Sequence, residues 1–185
     1  MSLSQEKVWT YEDYCALPDD GNRYEVINGR LYVSPSPNPY HQRLAGRLFL
    51  LLSALPEGEV FTAPVDVLFP GATPVIPDLL YLRKDQADLV TRRGIEGVPY
   101  LVAEVLSPST AGYDRTVKLN KYASAGVEHY WIVDPASRTL MLLELDGATY
   151  RLAASLGSED RCEPPAFPGV VLDLPALFEG IPEAK

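Results

Sequence analysis

Apolar residues alternate, cluster and recur at helical spacing along this chain, and the pattern predicts most of its elements. Thr10, followed by Glu12 and Asp13, opens a short amphipathic helix to Ala16. Arg23-Tyr-Glu-Val-Ile and Arg30-Leu-Tyr-Val-Ser34 flank Asn28-Gly29, a dipeptide that accepts the positive φ angles of a type I′ turn, so a β-hairpin is expected. Pro35 to Pro39 reads as a loop. From His41 to Leu55 the leucines at 44, 48, 51, 52 and 55 recur at helical spacing. Val60 to Phe69 alternates as a half-exposed strand would, Pro70-Gly71 turns the chain, and Val75 to Leu82 reads as another strand.

Lys84 to Glu96 is polar and poorly periodic, which suits a short helix and a surface loop. Pro99 to Leu106 is a continuous apolar run of the kind buried on both faces of a sheet. Ser107-Pro-Ser-Thr110 breaks it, with Ser109 or Thr110 placed to cap a helix from Tyr113 to Ala125 that Gly126 ends. Glu128 to Val133 is a strand. Leu140 to Leu145 and Ala148 to Ala153 form a hairpin around Asp146-Gly147, and the tail holds a short strand near Val170 to Leu172 and a last turn at Pro175 to Phe178. No repeat or linker interrupts this order. A single α/β domain over residues 1–185 is expected.

Two carboxylates break the apolar runs. Asp78 follows Ile76-Pro77, and Glu104 stands between Ala103 and Val105. An ionised carboxylate in a buried strand costs several kcal/mol, roughly, unless it is paired or binds a metal. If the two strands are neighbours, both acids can meet on one side of the sheet. Mg²⁺ is bound by one or two carboxylates with water and substrate phosphate, and the backbone carbonyl of Val105 could complete such a set. The ion would activate water and neutralise charge on a scissile phosphate. On the next helix Asp114, Lys118, Lys121 and Tyr122 share one face at 3.6 residues per turn, so a lysine could reach the acids.

These residues carry a resemblance. Pro77-Asp78, Glu104-x-Leu106 and the downstream lysine resemble the PD-(D/E)xK nuclease superfamily, the restriction-endonuclease-like fold. Arg23-Tyr-Glu-Val-Ile-Asn-Gly, Ser34-Pro-Ser-Pro with His41, Glu104-Val-Leu-Ser-Pro-Ser-Thr110, Asp114, Lys118, Tyr122 and Gly126-Val-Glu-His-Tyr-Trp-Ile-Val-Asp-Pro135 are similar, more closely, to the Uma-type bacterial family assigned to the endonucleases. The resemblance implies a restriction-endonuclease-like core: a central mixed β-sheet flanked by helices at 41–55 and 113–125, with the N-terminal β-hairpin and the strands near 138–153 extending the sheet. It implies Mg²⁺ or Mn²⁺, hydrolysis of nucleic-acid phosphodiesters, DNA first among them, and allows a homodimer. Asp78 and Glu104 would hold the metal with Val105, Glu25 would be the early third acid, and Lys118 would act on the water with Lys121 in reserve. The superfamily's usual lysine position holds Leu106, so the lysine is displaced to the helix.

Plainer roles stand beside these. Asp78 could be an edge-strand or capping aspartate, Glu104 a structural partner of Lys118 or Arg47, and Lys118 a surface partner of Asp114 worth about a few tenths of a kcal/mol. Lys121 could be solvated, and Glu25 an ordinary strand residue. His41 could touch phosphate or position water, with a capping or surface role beside that. Tyr122 suits core packing with its hydroxyl bonded near the site. Ser107 and Ser109 lack the His-Asp partners of a serine nucleophile.

Composition adjusts this picture in three ways. At 185 residues and 20.4 kDa the chain can bury a sizeable core. A net charge of −9 argues against a protein that coats phosphates passively, and keeps two rivals open: a catalytically inactive nuclease-fold binding module, and a metal-dependent hydrolase of a small phosphoester. Cys15 and Cys162 form no CxxC pair, so a reduced cytoplasmic compartment is expected and a zinc site is not. No apolar run reaches the ~20 residues of a membrane helix and no leader is expected.

Overall fold

A computed structural model of the chain describes residues 7–182 except 19, 21, 35, 36, 56 and 109. The expectations for Ser109 as a cap, for a loop at Pro35 and Ser36, and for the absence of a leader over 1–6 lie outside the described residues. The elements run α1 (Tyr11–Cys15), β1 (Arg23–Ile27), β2 (Arg30–Ser34), α2 (Pro39–Ser53), β3 (Gly58–Thr62), β4 (Val67–Leu68) and β5 (Leu79–Arg83). A 3₁₀ turn (Lys84–Leu89), β6 (Val90–Thr91), β7 (Gly94–Glu96) and β8 (Leu101–Val105) follow. The 111–125 helix comprises α3 (Ala111–Tyr113), a π turn (Asp114–Lys118) and α4 (Leu119–Ala125). Then come β9 (His129–Asp134), β10 (Thr139–Asp146), β11 (Thr149–Gly157), β12 (Arg161–Cys162), β13 (Leu172–Asp173) and α5 (Leu174–Phe178).

Six strands form a mixed central sheet in the order β11-β10-β9-β8-β5-β3. β8 and β9 are parallel and every other neighbouring pair is antiparallel. A parallel pair needs a crossover; here the 111–125 helix supplies it and is thereby laid over β8. Alternation along β8 sends Leu101, Ala103 and Val105 to one face, against Leu44, Leu48 and Leu52 of α2 and Phe178 of α5. Val102 and Leu106 face the opposite layer, with Tyr122, Tyr130, Ile132 and Ile27. Each fully buried leucine of that α2 stripe contributes roughly 1.5–3 kcal/mol. No helix among the described residues is long and apolar enough to cross a membrane.

Several expectations hold residue by residue. Thr10 caps α1 in a capping box with Asp13. Asn28 and Gly29 have φ of 52° and 73°, as a type I′ turn requires, and Gly126 ends α4 at φ 89°. Others need correction. The N-terminal hairpin is a separate two-stranded sheet and does not extend the central one, whose edges are β11 and β3. The strand expected over Val60 to Phe69 is two: Pro64 has no N–H to donate, so the first part ends at Thr62 and the rest pairs with β7 in a small sheet. The strand expected from Val75 starts only at Leu79, after Pro74 and Pro77, with Val75 left as an isolated bridge to Val67. Part of the loop expected before Glu96 is two short strands, β6 and β7.

Candidate active site

The β5–β8 ladder closes at Leu79↔Ala103. One step further on, where Pro77 cannot continue the pairing, Asp78 and Glu104 stand opposite each other. The Asp78 N–H donates to Glu104 Oε2 at 3.4 Å, and the Val105 N–H donates to Asp78 Oδ2 at 2.9 Å. The His129 N–H donates to the Tyr100 carbonyl, and the Leu106 N–H to Val133. Even-numbered residues of β8 therefore bond β9, and the peptide groups of Val105, its carbonyl included, face Asp78.

Glu104 shares the Val102 face, beneath the 111–125 helix. Its Oε1 accepts from Lys118 Nζ at 2.8 Å and from the Tyr122 hydroxyl at 2.7 Å. The same ammonium lies 3.3 Å from Glu25 Oε2 and 3.7 Å from Asp114 Oδ1, and donates to the Ile76 carbonyl at 3.3 Å. Glu25 Oε1 in turn accepts from the Ile76 N–H at 2.9 Å. The hairpin thus delivers its one buried acid to the segment just before Asp78. All of these side chains are buried; Lys118 and Glu104 are each 1% exposed. Burial pushes the Asp114 carboxyl up, with Lys118 opposing, and pushes the Tyr122 hydroxyl well up, which keeps it a donor.

The π turn sets this geometry. It inserts one residue into a helical turn, a distortion that recurs at functional sites. The Asp114 carbonyl accepts from the Tyr130 hydroxyl at 3.0 Å. After the turn, Lys118 and Tyr122 lie one helical turn apart and both reach Glu104. Lys121, on the flank, instead places its ammonium 5.8 Å from the Phe69 ring centroid, and burial pulls its pKa down.

Of the five side chains named from the sequence, the structure therefore brings Asp78, Glu104, Lys118 and Glu25 together and leaves Lys121 aside. Asp78 is not on an edge strand, since β5 lies between β3 and β8. The Lys118–Asp114 pair exists but is buried, not on the surface. Arg47 does not reach Glu104; it bonds the carbonyls of Leu177 and Glu179. Thr110 stands at the N-cap position but its side chain makes no capping hydrogen bond, and its hydroxyl lies 3.0 Å from that of Ser107 instead.

His41 departs furthest from its expected capping or surface role. Asn38 is the cap, taking the His41 N–H at 3.0 Å. The imidazole is buried with Nε2 3.0 Å from Asp78 Oδ2. The signal was present in the sequence: His41 precedes Leu44, Ala45 and Leu48 by three, four and seven residues, and so lies on the buried stripe of α2. Tyr113, also unforeseen, sets its ring 5.6 Å from Lys118 Nζ.

A family profile described as "Uma2: Putative restriction endonuclease" matches residues 11–175. The chain belongs to this family. No curated protein matches it. Its fold is similar to that of a crystal structure described as "a putative nuclease belonging to DUF820", from Anabaena variabilis, at a TM-score of 0.73 and 16% identity over 92% of this chain and 97% of that one. Among the described residues of this Uma2-family chain, no three His, Cys, Asp or Glu side chains form a ready metal cage. The donors at the end of the ladder are two carboxylates and a peptide carbonyl, all hard oxygens. They suit a cation such as Mg²⁺, which keeps several of its waters, better than one needing a closed protein cage.

Replacing Tyr122 by Phe keeps the ring against Phe69 and Tyr130 and removes only the donor to Glu104. Hydrogen bonds to charged groups are worth about 1.5–3 kcal/mol, so urea unfolding is expected to show a loss in that range with an unchanged m-value.

Proposed function

We propose that the whole chain, residues 1–185, is one restriction-endonuclease-like domain that hydrolyses nucleic-acid phosphodiesters, DNA in the first instance, with Mg²⁺ or Mn²⁺. The observation that carries this reading is the meeting of Asp78 and Glu104 at the open end of the β5–β8 ladder, with Lys118 bonded to Glu104. Asp78, Glu104 and the Val105 carbonyl would hold the ion. Once bound, it supplies Lewis-acid activation of water and charge neutralisation at phosphorus. Lys118 would orient that water and donate to a phosphoryl oxygen. Glu25 holds Lys118 in place through Oε2, and His41 and the Val105 N–H fix the Asp78 carboxylate. Lys121 has no part in this reading.

Membership of the Uma2 family supports nuclease chemistry, and the free thiols of Cys15 and Cys162 support a cytoplasmic location. A homodimer belongs to the reading as well, checked by sedimentation. Calorimetric titration with Mn²⁺ tests the site directly. Asp78→Asn keeps the shape and removes a ligand, and is expected to weaken binding by at least about tenfold, the smallest loss usual even for partners one step from a metal. Unchanged affinity in that variant would refute the metal assignment and favour a non-catalytic module. One observation favours a second reading: a cavity of about 850 Å³ beside Asp78 has no Lys or Arg among its described lining residues, as a hydrolase of small phosphoesters could have. Turnover of a small diester with no response to nucleic acid would decide for it.

A further inference from the structure

The same cavity specifies more about the substrate. It is lined by residues of α1, β1 and α2 together with the buried Asp78 and His41. Its walls carry three aromatic rings, Tyr14, Tyr24 and Phe49, and two exposed amides, Asn22 and Gln42. The Tyr14 hydroxyl is tied to Asp66 at 3.0 Å and that of Tyr24 to Asp20 at 2.7 Å, so both rings are anchored by their tips. Aromatic rings and amides suit an unstacked base, whose faces stack and whose edge accepts and donates hydrogen bonds.

Gly46 adds an independent observation. Glycine within a helix is destabilising relative to alanine, and close packing is the usual reason to find one there. A Cβ built at Gly46 meets no atom within 4 Å. Packing therefore does not account for this glycine, and the position lines the cavity.

We propose that this cavity seats an unstacked nucleobase, so that the substrate is a single-stranded segment of nucleic acid whose adjoining phosphate lies towards Asp78, across the cation that Asp78 would hold. This rests on the nuclease reading of the Asp78–Glu104 site. Most of the affinity then comes from stacking.

The test is fluorescence anisotropy of the full chain in EDTA with labelled single-stranded DNA, single-stranded RNA and the matching DNA duplex, on the wild type and Gly46→Trp. A preference for single strands on the order of tenfold to a hundredfold is expected, the span that base–aromatic stacking provides. Gly46→Trp, which fills the cavity from an open position, is expected to lose that preference while its Mn²⁺ affinity stays at the wild-type value. The DNA and RNA arms decide which sugar is accepted. Equal or tighter duplex binding overturns the proposal, as does a Gly46→Trp variant that binds single strands like the wild type. Mn²⁺ titration separates the two readings: if the ion binds but the duplex is preferred, only this proposal falls. If the ion does not bind, the nuclease reading falls and the oligonucleotide arms still decide the cavity's ligand.

Discussion

Lys118→Met is expected to cost about 3–5 kcal/mol of stability, the range for breaking a buried ion pair by removing one partner, and to abolish cleavage. The methionine fills much of the same volume, so the loss reports charge more than packing. Glu104, Glu25 and Asp114 all face the Lys118 ammonium, at 2.8, 3.3 and 3.7 Å. Without it each must stay ionised in a site closed to solvent or take up a proton. Urea unfolding at neutral pH measures the loss, and a deficit below about 1 kcal/mol would mean that the ammonium is not what keeps these acids buried.

The pH dependence gives a second check. The Asp114 pKa is already raised by burial, with Lys118 pulling it down. A carboxyl raised in the folded state binds its proton more tightly there than in the unfolded chain. Its contribution to stability therefore falls as pH rises from the ordinary carboxylate range through the raised value. Removing Lys118 moves that value further up. The deficit of Lys118→Met is thus expected to shrink towards acid pH and widen towards neutrality, whereas a packing defect would be the same at every pH.

Asp78 and Glu104 could be read from the sequence because a carboxylate inside an apolar run has few inexpensive explanations, and the antiparallel register then placed one against the other. The hairpin, α2, the β8 strand and the Gly126 stop follow from local rules of turn, period and cap, and these hold. What local rules do not encode is where a completed element docks. The hairpin satisfies its own inner edges, so nothing in Arg23 to Ser34 says whether it joins the large sheet; it lies apart and presents Glu25 to Lys118. The π turn is hidden for a similar reason. The periodicity of residues 111–125 fits an ordinary helix, and the carbonyl of Asp114 finds its partner in Tyr130, on the following strand. Hence the sequence puts Lys118 first with Lys121 in reserve on the same helix face, and the fold sets Lys118 against Glu104 and Lys121 beside Phe69. His41 was obscured by position: a histidine so near a helix start reads as a cap, although its spacing to Leu44 and Leu48 marks it as buried.

Glu104→Gln is expected to lower cleavage by about 1,000-fold or more, while changing stability far less than Lys118→Met does. The amide keeps the size and shape of the carboxylate, and its carbonyl oxygen can still accept from Tyr122 and Lys118. Lys118 also keeps Glu25 and Asp114 as counter-charges, so the fold is not left with an isolated ammonium. A metal held as proposed would, in contrast, lose one of its two anionic ligands. Changes one step from a metal already cost about 10–100-fold, and a single electrostatic donor to a transition state is worth on the order of 10²–10³, so losing a ligand that serves both ends combines the two. Initial rates with Mn²⁺ on single-stranded and duplex DNA, beside a urea melt of the same preparation, separate the alternatives. A folded Glu104→Gln protein that still cleaves within about tenfold of the wild type, less than the effect of even an outer partner, would move the reaction away from the β5–β8 ladder and leave the buried cluster as structure alone.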